Sequence, residues 1–207
     1  MATFPWAFGA LLLALTLLAG VSLPSLAAQG DPKKGSGGFE HVHALAMDPA
    51  GKSLFLGAHT GLFRSQDGGR SWQRVALPAT HPHVDVMAIA VHARDPNTLY
   101  VGTHETGVFK SSDGATTWME VNNGLAGLDV HGLAIDPSAP QKLHAAVREK
   151  GEGIYRTSDG GVKWVRVDDG PSGEVKVLTS VNIPTGMGGI FLYAGTAEGL
   201  LRNPDCF

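Results

Sequence analysis

Histidine residues with metal-ligand spacing occur near the start of this 207-residue chain and again at regular distances along it. His41 and His43 are two residues apart, and an extended strand would place both side chains on one face, about 7 Å from each other. Met87 and His131 follow His43 at intervals of 44 residues. Imidazole, thioether and carboxylate groups suit zinc or copper. We therefore predict a divalent metal site that uses His41, His43 and His131.

A second set of side chains could bind a small ligand. His59 and His104 occupy equivalent places in the repeated pattern described below, and Glu105 follows the second of them. Together with Met87 they are predicted to form a ligand-binding surface. The alternative interpretation is that all these histidines are only solvated or hydrogen-bonded surface residues.

Two aspartates could instead support hydrolysis. Asp85 and Asp129 are 44 residues apart and occupy corresponding positions. A glycoside hydrolase requires two carboxyl groups about 5 to 10 Å apart as acid and base or nucleophile. Asp85 and Asp129 are the candidate pair for that chemistry, so binding and catalysis both remain open at this point.

A repeated eight-residue pattern indicates the structure that must position these groups. SQDGGRSW, SSDGATTW and TSDGGVKW recur 46 residues apart. Aspartate can accept backbone N–H bonds in a tight turn, glycine adopts positive φ without steric cost, and tryptophan buries a large apolar surface. The recurring positions are therefore interpreted as structural: Ser65, Asp67, Gly69, Trp72, Ser111, Asp113, Trp118, Thr157, Asp159, Gly161 and Trp164.

Each repeat contains four short apolar runs that are typical of β-strands, the number found in one blade of a β-propeller. We predict an all-β fold of about four blades, at 41–84, 85–128, 129–174 and 175–207. The fourth blade lacks its last strand in this reading. The 167 residues from 41 to 207 correspond to about 3.6 repeats. An open or truncated larger propeller, or an oligomer that completes the sheet, would each accommodate that number.

The eight-residue pattern resembles the BNR or Asp-box repeat, S/T-x-D-x-G-x-x-W, of sialidases, xyloglucanase-type glycoside hydrolases, sortilin-like receptors and photosystem II assembly factors. The resemblance covers residues 41–205 and implies a propeller. It also implies a glycoside hydrolase as one possible activity. The arginine motif of sialidases is absent, so a classical sialidase is not expected. The other expected function is an extracytoplasmic module that binds a small ligand, a glycan, a metal ion or a protein.

The strand order predicts where the chemistry lies. Connections in an antiparallel four-stranded meander alternate between the two ends of the sheet, so the aspartate turns lie at one end. The opposite end, which we call the His-rich rim, is predicted to carry most of the chain's nine histidines. Those assigned to it are His41, His43, His59, His81, His83, His104 and His131.

Composition excludes some partners and indicates a location. The net charge is −3 and no basic block is present, so no nucleic-acid partner is expected. The single cysteine, Cys206, excludes an internal disulfide framework. Residues 1–27 have the apolar composition of a secretory signal peptide, or of a membrane anchor if uncleaved, and 28–40 that of a flexible linker. The protein is therefore expected to be secreted or periplasmic.

Overall fold

A computed structural model describes residues 39–78, 83–167, 170–171, 173–181 and 190–205. The predicted leader, His81, Cys206 and most of the predicted linker lie outside these ranges. Within them the regular secondary structure is entirely β-strand, as expected from the sequence pattern. The described residues contain no helix that is long and apolar enough to cross a membrane.

The strands form four antiparallel sheets, each built from consecutive strands. The first sheet contains β1 (Val42–Met47), β2 (Leu54–Ala58), β3 (Gly61–Ser65) and β4 (Gln73–Val75). The second contains β5 (Val86–Val91), β6 (Leu99–Thr103), β7 (Gly107–Ser111) and β8 (Met119–Glu120). The third contains β9 (Asp129–Ile135), β10 (Leu143–Arg148), β11 (Gly153–Thr157) and β12 (Val165–Val167), and the fourth contains β13 (Val175–Val181), β14 (Ile190–Thr196) and β15 (Gly199–Asp205).

The sheets are arranged as the four blades of a β-propeller, which confirms the predicted fold class. The first strand of each blade is innermost, and β1 packs against β5, β5 against β9, and β9 against β13. The fourth strands are the shortest, with only two residues in β8. The tryptophan that precedes each fourth strand lies just outside it.

The hydrophobic core lies between neighbouring blades. Tyr100 of the second blade packs with Val130, Leu143 and Trp164 of the third. Between the first and second blades, the buried residues include Phe55, Leu62, Val86, Leu99 and Phe109. Gly57 and Gly102 permit this close packing, since a Cβ at either would lie 2.9 Å from the backbone oxygen of the next innermost strand. Small residues in the second strands therefore set the spacing between blades.

The three segments Ser65–Trp72, Ser111–Trp118 and Thr157–Trp164, which we call the Asp turns, share one hydrogen-bond pattern. The aspartate Oδ1 accepts the backbone N–H four residues later at 2.8 to 3.0 Å, from Ser71, Thr117 and Lys163 respectively. The first hydroxyl accepts a second backbone N–H, from Gly69, Ala115 and Gly161. These residues have positive φ, including Ala115 at 69°, where the other two turns have glycine. These bonds satisfy the carboxylate and the first hydroxyl of each turn from within the turn, which is a structural role.

Hydrogen bonds also keep the Asp-turn carboxylates ionised. The Thr117 hydroxyl and backbone N–H lower the pKa of Asp113 to about 2. Bonds from Ser71 lower the pKa of Asp67 well below its usual range. The pKa of Asp159 is lowered chiefly by the hydroxyl of Thr157. A carboxyl group that must stay ionised to hold its turn is unsuited to donating a proton.

Candidate functional site

The His-rich rim is formed by the β2–β3, β6–β7 and β10–β11 connections and by the residues at the start of each innermost strand. His59 lies in the first of these connections and His104 in the second. Asp85 directly precedes β5, and Asp129 is the first residue of β9. The antiparallel strand order therefore places these side chains at the end of the blades opposite the Asp turns.

Contacts between a basic and an acidic side chain join each blade to the next at this rim. We call them the inter-blade clasps: His59 Nδ1 to Asp85 Oδ2 at 2.7 Å, His104 Nδ1 to Asp129 Oδ1 at 2.8 Å, and Arg148 Nη1 to Glu174 Oε1 at 3.0 Å. In each clasp the base comes from the end of the second strand or its turn, and the acid from the start of the next blade. The rim thus has a repeated architecture of its own.

His43 joins the first clasp to form a cluster that we call group one, with His59 and Asp85. One ligand atom from each side chain lies within 4.8 Å of the others. His43 Nε2 is 3.3 Å from Asp85 Oδ1. That oxygen is buried and has no hydrogen-bond partner among the described residues. The side chain of Asp85 is 15% exposed and that of His59 is 59% exposed, so the cluster opens to solvent on the histidine side.

The second cluster, group two, contains His104, Asp129 and His131. Asp129 Oδ1 is 2.8 Å from both His104 Nδ1 and His131 Nε2. The other oxygen, Oδ2, accepts a bond from Arg148 Nε at 3.2 Å. The side chain of Asp129 is only 8% exposed, so this group is more enclosed than group one. Group two therefore combines a buried carboxylate with a permanent cation.

The two histidines of group two have opposite pKa shifts. The hydrogen bond from its ring to Asp129 raises the pKa of His104. Burial is the main cause that lowers the pKa of His131. His131 Nε2 is buried without a hydrogen bond of suitable geometry within the described part of the chain. One imidazole therefore favours its charged form and its neighbour favours the neutral form.

The structure distributes the predicted metal ligands differently from the sequence analysis. His43 and His131 belong to different groups, and each group gains a histidine from the predicted ligand-binding set. His41 belongs to neither group. It lies before the start of β1, and its backbone φ is 48°. Its ring lies edge-on to that of His59, with 6.1 Å between the ring centroids. The expectation that His41 and His43 extend from one strand face fails because residue 41 is not extended.

Met87 and Glu105, also predicted for the ligand surface, belong to neither group. Met87 is half-buried in β5 at the register position that His43 has in β1 and His131 in β9. The side chain of Glu105 is 80% exposed, and its Oε1 lies 3.9 Å from His104 Nε2. Its φ of 76° is uncommon for a residue with a side chain.

Both candidate catalytic carboxylates have basic neighbours. Asp85 lies against His43 and His59, and Asp129 against two imidazoles and Arg148. Arg148 and Glu174 were not among the site residues predicted from the sequence. Arg148 completes the regularly spaced basic positions 59, 104 and 148, and Glu174 completes the acidic positions 85, 129 and 174. This spacing is the sequence signal that identifies the third clasp.

No protein-family model matches the chain, and no curated protein matches it in sequence. Solved structures do share its fold. A GH74 enzyme from Niastella koreensis aligns with a TM-score of 0.60 and 23% identity, over 78% of this chain and 27% of that one. YCF48 bound to a D1 peptide aligns with a TM-score of 0.59 and 15% identity, over 80% and 50% of the two chains.

A third neighbour is the extracellular domain of the one-component system BT4673 from B. thetaiotaomicron. It aligns with a TM-score of 0.58 and 11% identity, over 84% of this chain and 23% of that one. Identities this low show a common β-propeller fold alone. The chain spans from about a quarter to half of the length of these three neighbours.

Proposed function

We propose that this chain is an extracytoplasmic binding module of the BNR/Asp-box repeat class, and that the His-rich rim is its binding surface. The observation that carries the proposal is the convergence of imidazoles on acidic side chains at this one end of the blades. The carboxylates and first hydroxyls of the Asp turns, at the opposite end, are already hydrogen-bonded within their own turns. A rim rich in partly exposed imidazoles offers donors, acceptors and metal ligands to an incoming molecule.

The contacts of the two aspartates favour binding over hydrolysis. A general acid or a nucleophile must direct a carboxyl oxygen at the substrate. Asp129 uses both oxygens on neighbouring bases, and Asp85 has an imidazole nitrogen within 3.3 Å of each oxygen. Glycoside hydrolysis is the alternative function, and the GH74 enzymes among the fold neighbours are its support.

A hydrolysis assay separates these two functions. The purified chain is incubated with xyloglucan and with aryl glycosides, and sugar or phenol release is measured. We expect no release above that of an Asp85→Asn variant. Release by the parent chain that disappears in Asp85→Asn would favour the hydrolase.

Binding is tested with three probes: Zn²⁺, a xyloglucan oligosaccharide and an acidic peptide. We expect saturable binding of at least one of them, weakened at least about 10-fold in a His59→Ala/His104→Ala variant. Asp67→Asn, at the opposite end of the blades, is the control that should keep the affinity of the parent chain. The proposal fails if none of the probes binds, or if the rim variant binds as well as the parent.

The extracytoplasmic location rests on the apolar composition of residues 10–21 and the small residues that follow them. One fold neighbour, the BT4673 domain, is itself extracellular. Expression of the full chain with a C-terminal tag in a bacterial host tests the proposed location. We expect a shortened product outside the cytoplasm, with a new N-terminus near residue 28.

A further inference from the structure

We propose that group one binds a single Zn²⁺ ion through His43, His59 and Asp85, and that Arg148 prevents group two from doing the same. The proposal rests on the proposed function, because the ion would lie within the His-rich rim. It also goes further, since it names the ligand and distinguishes between two clusters that share one repeat architecture.

Group one already approximates the geometry of a zinc site. Zinc binds nitrogen and oxygen at about 2.0 to 2.2 Å in a tetrahedron, which places ligand atoms about 3.3 Å apart. The distance from His43 Nε2 to Asp85 Oδ1 is 3.3 Å, and that from His59 Nδ1 to Asp85 Oδ2 is 2.7 Å. One ligand atom from each of the three side chains lies within 4.8 Å of the others, so side-chain rotations can bring them to the spacing that the ion requires.

The hydrogen-bond inventory supports a ligand at the same point. Asp85 Oδ1 is buried, and His43 lies close to it without the geometry of a hydrogen bond. A buried carboxylate oxygen without a partner is costly, because its lost hydration is not replaced. An ion between Asp85 and His43 would supply that partner, and a proton shared between His59 Nδ1 and Asp85 Oδ2 would move to His59 Nε2 or to solvent when His59 Nδ1 binds the ion.

Hydrogen bonds hold the backbone of His59, the more exposed of the two histidine ligands. The backbone N–H of His59 donates to the carbonyl oxygens of Glu40 and His41, at 3.0 and 3.1 Å. Three protein ligands leave a fourth position for water or an anionic group. That position faces solvent, because the side chain of His59 is 59% exposed.

Group two has the same donor types but a different electrostatic environment. The guanidinium of Arg148 contacts Asp129 Oδ2 at 3.2 Å, and Glu174 anchors it at 3.0 Å. A divalent ion on Asp129 would lie close to this permanent positive charge, which opposes binding. In the second blade the place of Arg148 belongs to His104, whose backbone N–H donates to the carbonyl oxygen of Asp85. The His104 ring is hydrogen-bonded to Asp129 Oδ1 at 2.8 Å, and the side-chain contacts of Asp85 are with the imidazoles of His43 and His59, so no guanidinium contacts Asp85 in the described part of the chain.

Calorimetric titration of the chelator-treated full chain with Zn²⁺ tests group one. We expect one ion per chain, with affinity reduced more than about 100-fold in His43→Ala and in Asp85→Asn, because each removes a direct ligand. His92→Ala is the matched control: it also removes a histidine, but at the Asp-turn end, where the ring accepts bonds from Arg94 and Asp95. Loss of binding in His92→Ala, or no binding by the parent, would overturn the proposal.

The role of Arg148 is tested by asking whether a second site appears. Arg148→Gln is expected to raise the stoichiometry from one to two ions, and Arg148→His provides a second variant with the residue type of the equivalent position. Circular dichroism confirms that each variant is folded. Two ions bound by the parent, or one ion bound by both folded variants, would contradict the assignment.

A visible spectrum of the Co²⁺-loaded chain gives a readout that does not depend on heat. Tetrahedral coordination by two imidazoles and a carboxylate should give absorption bands that vanish in Asp85→Asn and persist in Asp129→Asn. The opposite result would assign the ion to group two and overturn the proposal. If Zn²⁺ fails to bind while the oligosaccharide or the peptide still does, the metal assignment is wrong and the binding module remains.

Discussion

The Asp-turn end of the blades repeats the same hydrogen bonds three times, whereas the rim repeats positions but changes the residues. Each Asp turn has a hydroxyl residue and an aspartate in the same hydrogen-bonding roles, followed by a tryptophan at the same position. At the rim, equivalent positions carry His41, Asp85 and Asp129, or His59, His104 and Arg148. One end therefore closes each hairpin in a fixed way, and the other end allows each blade a different chemistry on a common scaffold.

The largest effect is expected from a tryptophan of the Asp turns. Trp164 is 1% exposed and its indole N–H donates to the carbonyl oxygen of Val121 in the neighbouring blade, at 2.7 Å. Trp164→Ala should lower the free energy of unfolding by about 3 to 5 kcal/mol, because it leaves a cavity and an unpaired carbonyl group. Urea denaturation followed by circular dichroism measures this change.

Trp72→Ala is the comparison for that prediction. The Trp72 indole N–H donates within its own turn, to Gly69, and the side chain is partly exposed. Trp72→Ala should therefore lower the free energy of unfolding by clearly less than Trp164→Ala. Equal costs for the two variants would show that packing between blades does not distinguish these tryptophans.

A buried histidine away from the rim is expected to control the acid sensitivity of the fold. Burial lowers the pKa of His144, in β10, to about 4, and the nearby Arg156 contributes in the same direction. Between pH 6.5 and 4 the unfolded chain therefore binds more protons than the folded chain at this site. Stability should fall with decreasing pH in that window, by up to about 3 kcal/mol.

His144→Gln should flatten this pH dependence, whatever its effect on stability at pH 7. Unfolding free energies measured from pH 4 to pH 7 for the two proteins provide the test. A slope unchanged by the substitution would assign the acid sensitivity to other groups.

A smaller difference in thermal stability is expected between a variant at the Asp-turn end and a variant at the His-rich rim. Asp113 accepts bonds from Thr116 and Thr117 and from the Ser111 hydroxyl, so Asp113→Ala should lower the thermal midpoint by on the order of 5 °C. His59→Ala removes a mostly exposed contact and should change the midpoint by less than about 2 °C. Differential scanning calorimetry in metal-free buffer compares them, and a larger loss in His59→Ala would reverse the assignment of structural and binding ends.

The smallest effect concerns backbone strain at the rim. Glu105 is exposed with a φ of 76°, whereas the positive-φ positions of two Asp turns are glycines. Glu105→Gly should raise the free energy of unfolding by less than about 1 kcal/mol, since relief of strain slightly exceeds the entropy gained by the unfolded chain. Chemical denaturation would detect it, and a destabilised variant would show that the conformation is not strained.

Sequence reasoning predicted the propeller because three copies of an eight-residue pattern specify local turns. Strand order also predicted which end carries the histidines. The grouping of His43 with His59 and Asp85 could not be predicted in the same way, because it depends on contacts between blades that no local pattern encodes. His41 was misplaced for a local reason: its positive φ interrupts the alternation of side chains on which the argument depended.

The inter-blade clasps give the propeller a rule for changing its length. The second and third blades each provide an acid at the start of the first strand and a base at the end of the second, so a duplicate of either brings one of each. Inserting a copy of one of these two repeats, or deleting one of them, therefore pairs the bases and acids of the new neighbours without leaving an internal charge unmatched. Gene duplication can then alter the number of blades in single steps, while substitutions at the same positions alter what each junction binds.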